Sequence, residues 1–253
     1  MKLHSFIFSF IFLVATAEAV AQLFEESLIL AEQGDAEAQY VIGYLYNIGR
    51  GVERDYIEAA RWYELAVAQG IAGAQLNLGV MYRGGEGITR DDAEAHRLFL
   101  LAADQGVASA QYNLGIMYHR GEGVDEDDIE ATRWYQLAAE QGLAGAQYNL
   151  GVMYGRGVGV AEDSEQSAVW FRKAAGQGDA ASQHNLGAKY ASGRGVPYDL
   201  ITAYAWIALA RALGDSTAEE NLNKVAAQLT PQQIAEGQDL AVRCLESNYQ
   251  DCD

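Results

Sequence analysis

Proline, cysteine and positive charge are what this 253-residue sequence has least of, and each shortage excludes something. With only two prolines, its elements are broken almost entirely by its 27 glycines. The 17 basic residues stand against 35 acidic ones, a formal charge of −18 that repels phosphate backbones and anionic head groups, so nucleic acid and membrane surfaces are disfavoured as partners. The two cysteines, Cys244 and Cys252, lie close together near the C-terminus. In an oxidising compartment they are expected to form a disulfide that pins the tail, the alternative being two free thiols, and with no His pair nearby they make a poor metal site. His96, His119 and His184 stand at unrelated phases of the pattern described below. No Ser-His-Asp or metal-ligand spacing emerges, so no catalytic residue, metal or cofactor is expected, and the reading is of a non-enzyme.

Long apolar runs are also missing. The one stretch that approaches one, Phe6 to Val14, follows Lys2 and His4 and is shorter than the roughly 20 residues a membrane span needs. Small residues come next, with Ala17-Glu18-Ala19 and Ala19-Val20-Ala21 both fitting an A-x-A cleavage pattern. Residues 1–21 therefore read as a secretory signal peptide cut near Gln22, with an uncleaved anchor as the alternative, and the mature protein is expected to be exported and soluble. No Asn-x-Ser/Thr sequon occurs, and Asp251-Cys252-Asp253 is no retention signal, which favours a bacterial periplasm over an endoplasmic reticulum lumen. Secretion beyond the cell is the other destination considered.

What is present is a repeat. Gly34, Gly70, Gly106, Gly142, Gly178 and Gly214 follow one another at intervals of 36 residues without an insertion. A fixed period of this size signals stacked supersecondary units, an all-α solenoid of helix-turn-helix repeats forming one elongated domain. Helix A of the first repeat is expected from about Ala36 to Ile48 and helix B from about Asp55 to Gln69, with each later copy shifted by one period. Residues 22–33 read as a short capping helix, 34–229 as five full repeats and one partial repeat, and 230–253 as a terminal capping helix with a tail. Thr230, Pro231 and Gln233 supply an N-cap, a first-turn proline and a capping box for that last helix, which should run to about Ser247.

Within helix A, Ala146, Leu150 and Tyr154 recur in steps of four and so share one face. Gly43, Gly79, Gly115, Gly151 and Gly187 sit inside the helix, where glycine costs about 1 kcal/mol relative to alanine. Their recurrence calls for close approach of a partner helix at that point. Each helix A ends in Gly-x-Gly and an aliphatic residue, as in Gly157-Val158-Gly159-Val160, suited to a left-handed terminus and poorly suited to cradling a phosphate because acids follow it. Asp55, Asp91, Asp127, Asp163 and Asp199 open helix B as capping carboxylates. Trp62, Trp134, Trp170 and Trp206, followed by Tyr63, Tyr135, Phe171 and Ile207, fill its core side. The second repeat has Leu98 in the tryptophan position and should still form a core.

Taken together, Ala-x-Ala-x-x-x-Leu-Gly-x-x-Tyr, Gly-x-Gly-Val, an aspartate and Ala-x-x-Trp-Tyr-x-x-Ala-Ala-x-x-Gly resemble the Sel-1-like repeat family, relatives of the tetratricopeptide repeat with a longer turn. The resemblance spans about Gly34 to Leu229 and implies a right-handed α/α superhelix used as a scaffold or adaptor for a protein or peptide partner. Some cysteine-rich relatives are linked to β-lactam binding through a cysteine pair in each repeat, which this chain lacks. In related superhelices the first helix of each pair lines a concave groove. Mapped here, that places Tyr40, Tyr112, Tyr148 and His184 with Asn77, Asn113, Asn149 and Asn185 along the groove, as aromatic anchors and amides able to hold a peptide backbone. The alternative for the asparagines is structural glue between helices. Arg83, His119, Arg120 and Arg156 end helix A in consecutive repeats, where they would grip a partner's carboxylates or complement the helix dipole. The favoured function is a non-enzymatic cell-envelope scaffold binding a protein or peptide in the groove. The alternatives are an envelope hydrolase or cell-wall-binding enzyme, and a secreted host-interaction factor.

Overall fold

Residues 17–252 are described by a computed structural model of the chain. Most of the expected signal peptide, residues 1–16, falls outside them. Thirteen helices and no strands occur among the described residues. After α1 (Ala17–Glu32) the helices alternate as α2 (Ala36–Ile48), α3 (Tyr56–Ala68), α4 (Ala72–Gly84), α5 (Asp92–Asp104), α6 (Ala108–Arg120) and α7 (Asp128–Glu140). They continue as α8 (Ala144–Arg156), α9 (Ser164–Ala175), α10 (Ala180–Ser192), α11 (Leu200–Ala212), α12 (Ala218–Ala226) and α13 (Pro231–Glu246). This is an all-α repeat solenoid.

The helix limits follow from local chemistry. Asp55, Asp91, Asp127, Asp163 and Asp199 each accept a hydrogen bond from a first-turn backbone N–H, removing unsatisfied donors at the start of every second helix. Gly49, Gly85, Gly157 and Gly193 close first helices in the left-handed conformation. Thr230 and Gln233 form the expected capping box of α13. The first capping helix is longer than its sequence suggests. It begins at Ala17 rather than residue 22 and crosses the expected cleavage position, with Val20 packed beside Gly51.

The described residues divide into two compact units, one of residues 17–110 and 122–125, the other of residues 111–121 and 126–252. The sequence suggests a single elongated domain. In a repeat array each hairpin packs on its neighbours and no common centre gathers the chain.

Inside both units the helical glycine lets an aromatic ring pack directly against the first helix. A Cβ at Gly43 or Gly79 would come 2.7 Å from the ring of Tyr63 or Phe99, and one at Gly115 or Gly151 would come 2.5 or 2.6 Å from Tyr135 or Phe171. The residue after the tryptophan position is thus the one most deeply buried: Tyr63 and Phe99 are fully buried and Tyr135 is 2% exposed, whereas Trp62 and Trp134 are only partly covered. Leu98 is fully buried, so the second repeat keeps its core without tryptophan.

The second glycine of each turn has a role beyond ending the helix. Gly87 lies against Tyr56 and Gly123 against Asp92 in the first unit, and Gly159 against Asp128 and Gly195 against Ser164 in the second. Each turn therefore rests on the backbone that starts the preceding second helix, with no room for a side chain.

In the second unit α11 is apolar nearly all round its circumference, and a helix of that kind must be enclosed. α12 and α13 enclose it, with Gly237 admitting Tyr204 at what would be 2.8 Å from a Cβ. The faces α13 leaves outward carry Gln232, Glu236, Gln238 and Asp239, together with Val242 and Leu245, which are more than half exposed.

Candidate functional site

The residues aimed at a groove fall into both units, and most of them make contacts inside their own unit. In the first unit Tyr40 on α2 sits with its ring centroid 6.0 Å from that of Tyr63, and its tip closes over Gly73 on α4. Asn77 donates to the Tyr63 hydroxyl at 3.1 Å. Burial pushes the Tyr40 phenol up, and a hydrogen bond with Asn77 opposes that rise. Tyr40, Tyr63 and Asn77 are thus brought together as a joint between consecutive repeats, the gluing role left open for the asparagines. Arg83 places Nε and Nη2 each 2.9 Å from Glu122 Oε2, with both side chains less than a quarter exposed. Its charge is neutralised within the unit.

In the second unit Tyr112 packs on Tyr135 and Tyr148 on Phe171 with tilted rings, each pair with centroids 5.9 Å apart. A Cβ at Gly145 would meet the Tyr112 tip at 3.3 Å. Large residues on one first helix therefore face glycine on the next, Tyr40 with Gly73 and Tyr112 with Gly145. His184 and Thr217 occupy the same two positions near the end of the array, and there the contact is polar. His184 Nδ1 lies 2.9 Å from both Asp215 Oδ2 and Thr217 Oγ1, and Nε2 lies 2.6 Å from Asn221 Nδ2. The Thr217 hydroxyl donates to Asp215 Oδ1 at 2.7 Å, so toward the imidazole its oxygen accepts and Nδ1–H is the donor. Burial alone would raise the Asp215 carboxyl, but the hydrogen bonds from the Thr217 hydroxyl and N–H, together with His184, outweigh it and hold the carboxyl below the usual range. Asn185 donates to Ala181 O at 2.8 Å within its own helix.

His119 pairs with Asp128 at 2.6 Å, and Arg120 is exposed at the end of α6. Asn113 is half-buried on α6. Asn149 and Arg156, both on α8, make no side-chain hydrogen bond or ion pair among the described residues. Asn149 is half-buried and Arg156 exposed, and with half-buried Val152 they stand at i, i+3 and i+7, which is one face of the helix. Among the described residues no cluster of His, Cys, Asp and Glu is arranged to hold a metal ion, and no helix is long and apolar enough to cross a membrane.

One recurrent polar contact escapes the sequence reading although its signal is there. The glutamine closing a second helix donates to the glutamine four residues into the preceding first helix, at 2.8 Å for Gln69 to Gln39, Gln105 to Gln75, Gln141 to Gln111 and Gln177 to Gln147. The donors Gln69, Gln105 and Gln177 also reach a turn carbonyl, at Gly34, Gly70 and Gly142. Both glutamines recur at the 36-residue period, which was enough to mark them as a pair. Gln183 is the exception: Leu213 stands where its donor belongs, and the fully buried Gln183 Oε1 has no partner among the described residues. Leu213→Gln should complete the contact and raise stability by about 0.5–1.5 kcal/mol, since satisfying a buried acceptor contributes that much. Chemical denaturation against the parent chain checks it, and an unchanged or lower midpoint would show that Gln183 needs no donor.

The geometry has counterparts among known proteins. The Sel1 repeat model matches residues 36–71, 72–107, 108–143, 144–179 and 180–215. A protective antigen present in uropathogenic Escherichia coli strains and displaying an SLR fold is similar at 34% identity and a TM-score of 0.79, over 93% of this chain. The chain spans only 55% of that antigen's length. A Sel1 repeat protein from Oxalobacter formigenes is similar at 32% identity and a TM-score of 0.77, covering 89% of this chain and 92% of its own. Comparison with curated proteins finds no match.

Proposed function

Because this chain belongs to the Sel1 repeat family, whose members generally act as protein-interaction scaffolds, we propose that it is a non-enzymatic, exported scaffold of the cell envelope that docks a protein segment on α8. The observation that carries the proposal is the face formed by Asn149, Val152 and Arg156. It offers an amide that can both donate and accept, an aliphatic side chain, and a guanidinium at the helix C-terminus. An extended segment with an acidic side chain matches all three: its backbone on Asn149, an apolar residue on Val152, its carboxylate on Arg156. Tyr112 and Tyr148 border this face but also pack within the unit, so replacing them by alanine would damage the fold along with any docking.

A photo-crosslinking residue placed at position 149 tests the reading in the native cell, with position 133 as the comparison because Arg133 is 72% exposed on the neighbouring α7. One discrete adduct from 149, weakened by Arg156→Glu and absent from 133, is the expected result. Equal adducts from both positions, or an adduct indifferent to Arg156→Glu, would sink it. Osmotic shock of the same cells should release a chain beginning near Gln22, and full-length chain retained in the cytoplasm would refute export.

A further inference from the structure

The residues after α13 build a closed turn outside the 36-residue repeat. Asn248 and Tyr249 both take positive φ, 53° and 63°, and the Tyr249 N–H donates to Cys244 O at 2.7 Å. The Ser247 hydroxyl oxygen accepts from the Gln250 and Asp251 N–H groups at 3.2 and 2.9 Å. The turn brings Cys252 back to Cys244, and their sulfurs are bonded. Both cysteines lie in the apolar cluster around Trp206, 1% and 6% exposed.

This closed tail covers part of the array. A Cβ at Gly178 would lie 3.4 Å from the Tyr249 ring, while at the equivalent Gly34, Gly70, Gly106 and Gly142 it would meet nothing within 4 Å. Gly176 stands two residues earlier, where the other repeats have Glu32, Ala68, Asp104 and Glu140, and the Tyr249 carbonyl lies beside it, at what would be 3.9 Å from a Cβ. Beneath the tail is a cavity of about 170 Å³ lined by Arg172, Trp206, Tyr249, Gln250, Asp251 and Cys252. The Trp206 indole N–H there is buried and has no partner among the described residues. Two consecutive residues with side chains in the left-handed region work against the closed turn, so an unlinked tail is not held by its own backbone preference.

We propose that Cys244–Cys252 is a redox-gated latch whose reduction lifts the tail from the Gly178 turn and uncovers Trp206. The reductant is a dithiol. One thiolate attacks Cys252 Sγ, the less enclosed sulfur, the S–S bond breaks with its electron pair left on Cys244 Sγ, and that sulfur takes up a proton. The second thiol of the reductant then displaces the Cys252 thiol, which takes the other proton, and the reductant leaves as a disulfide, two electrons having passed to the protein.

Amide hydrogen exchange on the whole chain tests this, with dithiothreitol as the reductant and alkylation of two thiols as proof of reduction without denaturant. Peptides covering residues 172–178 and 244–252 should exchange at least about tenfold faster once reduced, while those covering 72–104 stay unchanged. Cys252→Ser should behave like the reduced protein with no reductant present. Unchanged protection after proven reduction, a bond that reacts only in denaturant, or faster exchange along the whole chain would each overturn the latch.

Discussion

Gly159→Ala is expected to destabilise the protein by roughly 2–5 kcal/mol, although it adds a single methyl group in a surface turn. Two effects combine. Gly159 has φ of 66°, and a residue with a Cβ loses about 1–2 kcal/mol there. The Cβ would also collide with the Asp128 carbonyl and the Thr132 hydroxyl. The first of these is main chain at the start of α7, so the clash cannot be relieved by turning a side chain, and forced repacking adds about 1–3 kcal/mol. Gly142→Ala separates the two effects, because φ is 94° but nothing lies within 4 Å of the new atom. That variant should lose only the conformational part, ~1–2 kcal/mol. Denaturant melts of both variants decide the matter: equal losses would mean that the turn does not rest on the preceding helix.

Removing a fully buried ring should do comparable damage by the opposite route. Tyr63→Ala leaves the surface over Gly43 empty, deprives Asn77 of its acceptor and takes away the ring on which Tyr40 leans. A deletion of this size costs about 3–5 kcal/mol. Tyr63→Phe keeps the ring and loses only the hydroxyl, so it should cost about 0.5–1.5 kcal/mol. Thermal or denaturant midpoints of the pair test the packing directly. A phenylalanine variant as unstable as the alanine one would place the stabilisation in the hydroxyl and refute the ring-on-glycine account.

The sequence alone was sufficient for everything set by near neighbours along the chain. The span Ala36–Ile48 agrees with its expected limits because an aspartate cap and a left-handed glycine act within one turn of the residues they bound. The aspartates opening each second helix and the capping box at Thr230 were legible for the same reason. The helical glycines could be read as points of close approach, since their cost demands a reason, but not which ring approached.

Only the tertiary structure decided how the candidate docking residues are used. Arg83 and Glu122 are 39 positions apart, and His184 draws its partners from residues 31 to 37 positions away. The side-chain pattern of one helix does not report where another places its carboxylate. Tyr112 has the sequence of an interface anchor, yet its ring packs on Tyr135 within its own unit, whereas Asn149 and Arg156 make no side-chain hydrogen bond or ion pair among the described residues. Capping and glycine conformation act over a few bonds and are written in the sequence, whereas burial and pairing depend on distances that exist only after the helices have packed.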